Sequence, residues 1–396
     1  MTTPRTSLEE PLPLWPDMVE PEFLQDLRAA AQNCVAPHGE EIDRQDVYPV
    51  HSVKELARLG YTSLTLPAVF GGQGAGYRRC AAVFEEVSYY SAAVGISLIT
   101  ILQAQTLILL YGAETLRTRV LPKFREGLIT SYALTEAGHG SDIRHLDTRA
   151  EARDGGGWTL NGCKSFITSG SAAEAFIVLA ETPKGVSTFY VEADMPGVST
   201  VDGPNAATFG LRNGPHVDLH LDDVVLPPDH LLGIEGKGVR QAVTTLDFSR
   251  TVAAAISLGI ARAAFDGALA FASKRKAFGQ TVADFQGIQW YFADMLAQVD
   301  AARLLTYEAA DALDSHRDIA RYASEAKLLA SRVATDVASR AVQICGAYGV
   351  MESAPFGRYL RDAKAYEIAG GSSEILKNTI AKRVMSSIIP KQPLGN

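Results

Sequence analysis

Tyr322–Ile344, YASEAKLLASRVATDVASRAVQI, places Tyr322, Ala326, Leu329, Val333, Val337, Ala341 and Ile344 three to four residues apart. That spacing is the apolar stripe of one helix face. Upstream, Ile288, Phe292, Met295, Leu296 and Val299 form a second stripe, and a break near Ser315 joins the two as antiparallel helices. Gly346 and Gly349 supply stop signals after the second helix. Long helices with facing stripes imply a bundle, and helical text resumes after Gly238, so residues 234–396 read as a C-terminal four-helix bundle.

Before the bundle the pattern changes. Between Leu128 and Gly233, short β-type runs (GGGWTLNG, AFIVLAE, STFYVEA, HVDLHLDDVVLP) are separated by Gly, Asp, Asn and Pro. Val217, Leu219 and Leu221 alternate with Asp218, His220 and Asp222, the period of a half-buried strand. Asn161-Gly162 reads as a turn. Residues 128–233 are therefore a central, barrel-like β domain. Residues 1–127 read as an N-terminal helical domain with a long Ala-rich helix pair from Tyr77 to Tyr111. The Gly71–Gly76 turn in it lacks the strand-turn-helix context of a phosphate loop. The fold class is α+β.

The chain has 396 residues, 47% hydrophobic and 21% charged, with formal net charge -8 and pI near 5.6. An acidic balance argues against nucleic-acid binding and against docking on anionic membranes. No apolar run reaches the roughly 18 residues of a membrane span. Cys34, Cys80, Cys163 and Cys345 are far apart and read as reduced thiols rather than disulfides or metal ligands. No secretory or mitochondrial presequence is legible in MTTPRTSLEEPLPLWPD, so a cytoplasmic protein is expected.

Several segments combine small, hydroxyl and aromatic residues. Tyr132–Asp142, YALTEAGHGSD, lets backbone N–H groups and the Thr135 and Ser141 hydroxyls approach a flat, phosphate-bearing ligand. It resembles the first flavin signature of the acyl-CoA dehydrogenases, T-E-P-x-x-G-S-D, with Ala137 in place of Pro. Lys164–Gly170, KSFITSG, resembles the family's K-x-[WF]-I-T-N, with Ser169 in place of Asn. Arg275-Lys-Ala-Phe278-Gly279 followed by Phe285-Gln286 resembles R-x-x-F-G and F-Q. Gln343-Ile-Cys-Gly346-Ala347 resembles Q-x-x-G-G. Arg361–Lys377, RDAKAYEIAGGSSEILK, resembles the C-terminal signature R-D-A-K…I-Y-E-G-T-S-x-I.

The resemblance covers nearly the whole chain. It implies the acyl-CoA dehydrogenase fold and FAD, with Tyr132, Leu134, Thr135, Gly140 and Ser141 at the flavin ring or a phosphate. It places Phe166 over the isoalloxazine and Thr168 at flavin N5. Arg275, Phe278, Gln286, Gln343, Gly346 and Ala347 would reach a neighbouring subunit's flavin, and Ser372 and Glu374 belong to the last signature. The implied assembly is a homotetramer, a dimer of dimers. The implied substrate is an acyl thioester on CoA or a carrier protein, contacted by Ser141, Asp247, Arg250 and Gly370. The implied electron acceptor is an electron-transfer flavoprotein or oxygen.

One departure is chemical. In the family a Glu in the last signature removes the substrate α-proton, and here that position is Gly370. The alternative base position of some relatives, the residue before Arg250, is Ser249. Asp247 and Glu367 remain as weak candidates; Asp247 also reads as a routine first-turn acid. Glu85 and Glu86 read as packing at a solvent edge. Alongside α,β-dehydrogenation with a relocated base, the resemblance leaves three alternatives: desulfination of a sulfinoacyl-CoA, flavin monooxygenation, and a base-less subunit of a hetero-oligomer.

Overall fold

Among the described residues, six α-helices precede the first strand: α1 (Pro21–Cys34), α2 (Gly39–Gln45), α3 (Val50–Arg58), α4 (Tyr77–Tyr90), α5 (Ala92–Tyr111) and α6 (Glu114–Val120). The computed structural model describes residues 11–203 and 206–388. Residues 1–10, read above for a presequence, lie outside them. Pro21 and Glu22 start α1, where a missing N–H costs nothing and an acid faces the helix dipole. Between α4 and α5 the chain turns extended at Ser91, whose hydroxyl accepts from Val94 N and caps α5.

Helix α5 is buried on every face from Ala92 to Ile108, as its predominantly apolar text requires. By length and composition α5 and α7 (Gly238–Ala272) could each cross a membrane, contrary to the sequence expectation. Their apolar windows are instead 89% and 94% buried inside the molecule.

The β domain has two four-stranded sheets. Strands β1 (Thr130–Ala133), β2 (Arg149–Ala152), β3 (Trp158–Ile167), β4 (Ala175–Ala180), β5 (Ser187–Glu192), β6 (Val198–Asp202), β7 (Val217–Leu226) and β8 (Leu231–Leu232) order as β1-β4-β5-β8 and β2-β3-β7-β6. Trp158, Leu160, Phe176, Phe189, Leu219 and Val224 fill one core shared by both sheets. Asn161-Gly162 is not a turn. It lies inside β3, at a register shift against β7, and a Cβ on Gly162 would come within 2.6 Å of Thr148 Cα. A bulge uses the same permissive glycine as a turn, and the neighbouring strand sets which one forms.

Helix α7 opens the C-terminal bundle and packs against α4, α5 and three later helices, α8 (Gln286–Asp314), α9 (Ile319–Cys345) and α10 (Phe356–Tyr366). The hairpin β9 (Lys276–Ala277)–β10 (Gln280–Thr281) lies between α7 and α8, and α11 (Ser373–Ile388) follows α10. Met295, Val299, Ala326, Val333, Val337 and Ala341 of the two stripes are in the core.

Glu85 and Glu86 have no solvent edge to occupy, because α7 and α8 wall in α4. Glu85 Oε1 accepts from Arg262 Nη1 at 2.7 Å and Arg303 Nε at 2.8 Å, and Glu85 Oε2 from Tyr307 OH at 2.8 Å. Glu86 Oε1 accepts from the same Arg262 nitrogen at 2.8 Å.

Candidate functional site

Three groups of residues carry the polar chemistry: a shelf on the β domain, a diglycine loop before α11, and an exposed patch at the end of the bundle.

The shelf begins where β1 runs into the loop 134–148. Lys164, fully buried on β3, donates to Glu136 Oε1 at 2.7 Å and to Leu134 O at 3.3 Å. Glu136 also accepts from Asp147 N at 2.6 Å and Thr148 N at 3.0 Å, so one carboxylate pins both ends of the loop. His139 and Asp147 gather with Glu136 within 4.8 Å, but the Glu136 oxygens already serve Lys164 and two backbone N–H groups.

Burial alone would raise the Glu136 pKa. The bonds from Lys164, Thr148 and Asp147 overcome it and hold the carboxyl at about 2, against an ordinary 4.5. The folded state thus binds this proton later than the unfolded chain. Its contribution is fully present above about pH 4.5 and is lost as pH falls toward 2. Acid melts followed by circular dichroism are expected to show wild type losing its advantage over Glu136→Gln across that window.

Ser165 N bonds Thr135 O at 2.9 Å, which sets the loop beside β3. The β3–β7 register shifts again between Lys164 and Ile167, and Phe166 takes φ 59°. Its ring is left 48% exposed. A bulky residue in a left-handed backbone with an uncovered ring is a presented group, since neither strain nor exposure stabilises the fold. Leu134, Thr135 and Thr168 are half-buried around it, and Gly140 and Ser141 are exposed at the loop tip. The Tyr132 hydroxyl is buried with no partner among the described residues.

Behind the shelf, Thr168 Oγ1 lies 3.4 Å from His216 Nε2, and burial pushes the His216 pKa down to about 4. Ser169, also at positive φ, accepts from Asn213 Nδ2, and its Oγ lies 3.3 Å from Thr100 Oγ1. Sequence reading missed His216 and Asn213, because each becomes polar support only through a partner on another element.

The diglycine loop is held by two cations. Arg250 donates from Nη1 to Asp247 Oδ1 at 3.0 Å and from Nε to Gly370 O at 3.4 Å. Lys327, buried on α9, donates to Gly371 O at 2.7 Å. Burial, then the charge of Arg250, pushes the Lys327 pKa down to about 7. Lys327 carried no sequence signal beyond being a lysine beside an apolar stripe. Gly370 has φ 71°, and an added Cβ would meet nothing within 4 Å. Among the described residues the Gly370 N–H finds no acceptor.

Asp247 is not a first-turn acid: α7 starts at Gly238, so Asp247 sits in its interior, buried against Arg250. Burial raises its pKa despite that guanidinium. Ser249 Oγ donates to Thr245 O at 2.8 Å and accepts from Gln103 Nε2 at 3.0 Å. Glu367 pairs with Lys364 at 3.1 Å. Ser372 Oγ accepts from Ile375 N at the start of α11, and Glu374 is exposed there.

At the bundle end, Phe278 tips the β9–β10 hairpin and is 97% exposed. Arg275, beyond the end of α7, lies 5.8 Å from the Tyr348 ring centroid. Gln286, Gln343, Gly346 and Ala347 are exposed. No hydrogen bond or ring contact among the described residues joins this patch to the shelf.

A helical domain, a two-sheet β domain and a helical bundle follow one another in the order that the resemblance to flavoprotein dehydrogenases implies. Family models for the N-terminal, middle and C-terminal domains of acyl-CoA dehydrogenase match residues 20–127, 131–224 and 236–385. A probable acyl-CoA dehydrogenase, fadE25 of Mycobacterium leprae, is 35% identical over 92% of this chain and 95% of its own. The butyryl-CoA dehydrogenase structure from Megasphaera elsdenii superposes with TM-score 0.89 at 33% identity, covering 93% of this chain and 100% of that one. A structure of PigA with FAD and proline has TM-score 0.87 at 25% identity, covering 92% and 97%. The chain belongs to the acyl-CoA dehydrogenase family, and its cofactor is FAD.

Proposed function

We propose that this flavoenzyme acts on an acyl thioester, on CoA or a carrier protein, by α,β-dehydrogenation without a side-chain base at residue 370. The observation that carries the reading is the diglycine loop. Among the described residues the Gly370 N–H has no acceptor, and Arg250 binds the same residue's carbonyl. A preorganised N–H of this kind polarises a thioester carbonyl as negative charge develops on it. FAD supplies the hydride acceptor when bound.

The residues present fit that group. Phe166 offers an uncovered aromatic face, and Thr135 and Thr168 offer hydroxyls beside it, with Tyr132 and Leu134 in the same strand and loop. Gly140 and Ser141 are the donors for a phosphate. Arg275, with Phe278 and Gln286 beside it, suits the pyrophosphate, and Gln343, Gly346 and Ala347 suit the adenosine half, of a neighbouring subunit's cofactor; on this reading the protein is a homotetramer of flavin-sharing dimers. Ser372 and Glu374 close the site at α11.

Of the two weak base candidates, Glu367 is engaged by Lys364, whereas Asp247 is linked to residue 370 through Arg250. Asp247 is the better placed proton acceptor, with a basicity raised by burial. A second reading is favoured by the same ion pair. With each weighed carboxylate engaged, chemistry needing no α-proton base, such as C–S cleavage of a sulfinoacyl thioester, fits the loop.

Anaerobic titration of the FAD-loaded protein with an acyl-thioester panel separates the two. Bleaching of the flavin is expected for dehydrogenation. Sulfite release from a sulfinoacyl thioester with the flavin left oxidised would replace it by the second reading.

A further inference from the structure

Helix α5 is apolar and buried on all sides, yet Gln103 sits in its middle. Among the side chains between Ala92 and Ile108, Ile96, Ile99 and Gln103 keep the most exposure, at 8%, 7% and 8%. Their spacing, i, i+3, i+7, is a single helix face. One narrow strip of α5 therefore keeps a little exposure, and its polar member is Gln103.

Ser97 Oγ donates to Ala93 O and Thr100 Oγ1 to Ser97 O; Gln105 Nε2 turns to Thr62 O on another face of the helix, and its Oε1 is buried without a partner among the described residues. Gln103 spends one N–H on Ser249 Oγ, which itself donates to Thr245 O. Its amide oxygen and second N–H have no protein partner among the described residues. An amide left half-satisfied in a buried strip favours a ligand that completes it.

The strip also meets the diglycine loop. Ser249 and Arg250 are consecutive on α7: the first binds Gln103 and the second binds Gly370 O. On the loop side Ala369 and Gly370 supply almost no bulk, and the direction of a Cβ at 370 is open to 4 Å.

We infer that Gln103 determines specificity, selecting acyl thioesters that carry a hydroxyl or similar hydrogen-bonding group near the thioester over hydrocarbon chains of the same shape. The inference rests on the acyl-thioester reading above. An alkyl chain against this strip removes water from the free amide oxygen and N–H and returns nothing, whereas a hydroxyl replaces the lost bond. The expected discrimination is about tenfold for one such bond.

The test is calorimetric binding to the FAD-loaded protein, independent of turnover. The probes are phosphopantetheine thioesters, the arm common to CoA and carrier proteins. Butyryl chains with a hydroxyl at C2, C3 or C4 are each paired with the chain bearing a methyl there. Wild type is expected to bind at least one hydroxyacyl probe about tenfold more tightly than its methyl partner, and Gln103→Leu to level or reverse that ratio. Gln103→Met, which keeps length and flexibility, serves if the leucine variant melts early. Equal affinities within every pair, or a preference that survives both variants, would overturn the inference and leave the thioester reading standing. Failure of every probe to bind wild type would instead overturn the thioester reading, and this inference with it.

Discussion

Replacing Arg262 by methionine is expected to destabilise the protein by about 3–5 kcal/mol, the effect of stranding buried charge. Arg262 is completely buried, and its Nη1 serves both Glu85 and Glu86. Its guanidinium also lies 5.6 Å from the ring centroids of Trp15 and Tyr89. Methionine preserves much of the volume, so the loss is electrostatic rather than a cavity. Glu85 keeps Arg303 and Tyr307. Among the described residues Glu86 keeps only a 3.6 Å approach from Arg28 Nε, and its second oxygen already lacks a hydrogen bond. Urea unfolding should show a lower midpoint at an unchanged slope. Adding Glu86→Gln should recover part of the loss, because the two sites share one interaction and are not additive. Equal midpoints for wild type and Arg262→Met would show that this cluster does not restrain α4 against α7.

How much of this was legible beforehand follows from where each signal resides. The bundle and the β domain announce themselves because a helix stripe or a strand alternation is written in consecutive residues. The family signatures are legible for the same reason: Tyr132–Asp142 and Lys164–Gly170 are continuous. Glu85 and Glu86 were misplaced because their partners Arg262 and Arg303 are up to 218 residues away, and a helix enclosed on all sides has no solvent edge. Asp247 was misplaced because the polar text around Arg240 hides the true start of α7 at Gly238. Asn161-Gly162 was misread because a bulge and a turn ask the same of glycine, and only the pairing with β7 decides between them. Gln103, Lys327 and His216 carry no local pattern. Each acquires meaning from one atom on a distant element: Ser249 Oγ, Gly371 O and Thr168 Oγ1, respectively.

Gly370→Glu is expected to raise the rate of α,β-dehydrogenation of a simple acyl thioester by about 10²- to 10⁴-fold, the usual value of a positioned general base. The loop can take the side chain, since a Cβ at 370 meets no atom within 4 Å. The cost is conformational: φ of 71° is poor for any residue but glycine, worth about 1–3 kcal/mol. Arg250 and Lys327 already hold the two loop carbonyls at 3.4 and 2.7 Å, so the loop is restrained against relaxing away. The nearby guanidinium also favours the ionised form of a new carboxylate, the form that accepts a proton. Anaerobic stopped-flow reduction of the flavin measures the gain, with Gly370→Gln as the control of equal size and no basicity. If the glutamine variant accelerates equally, the effect is packing. If the glutamate variant folds, binds FAD and still fails to bleach with any thioester, residue 370 does not face the α-carbon. A large gain confined to glutamate would instead show that the natural chain keeps the thioester-binding loop and has given up the proton acceptor there, leaving proton removal to Asp247 or to chemistry that needs none.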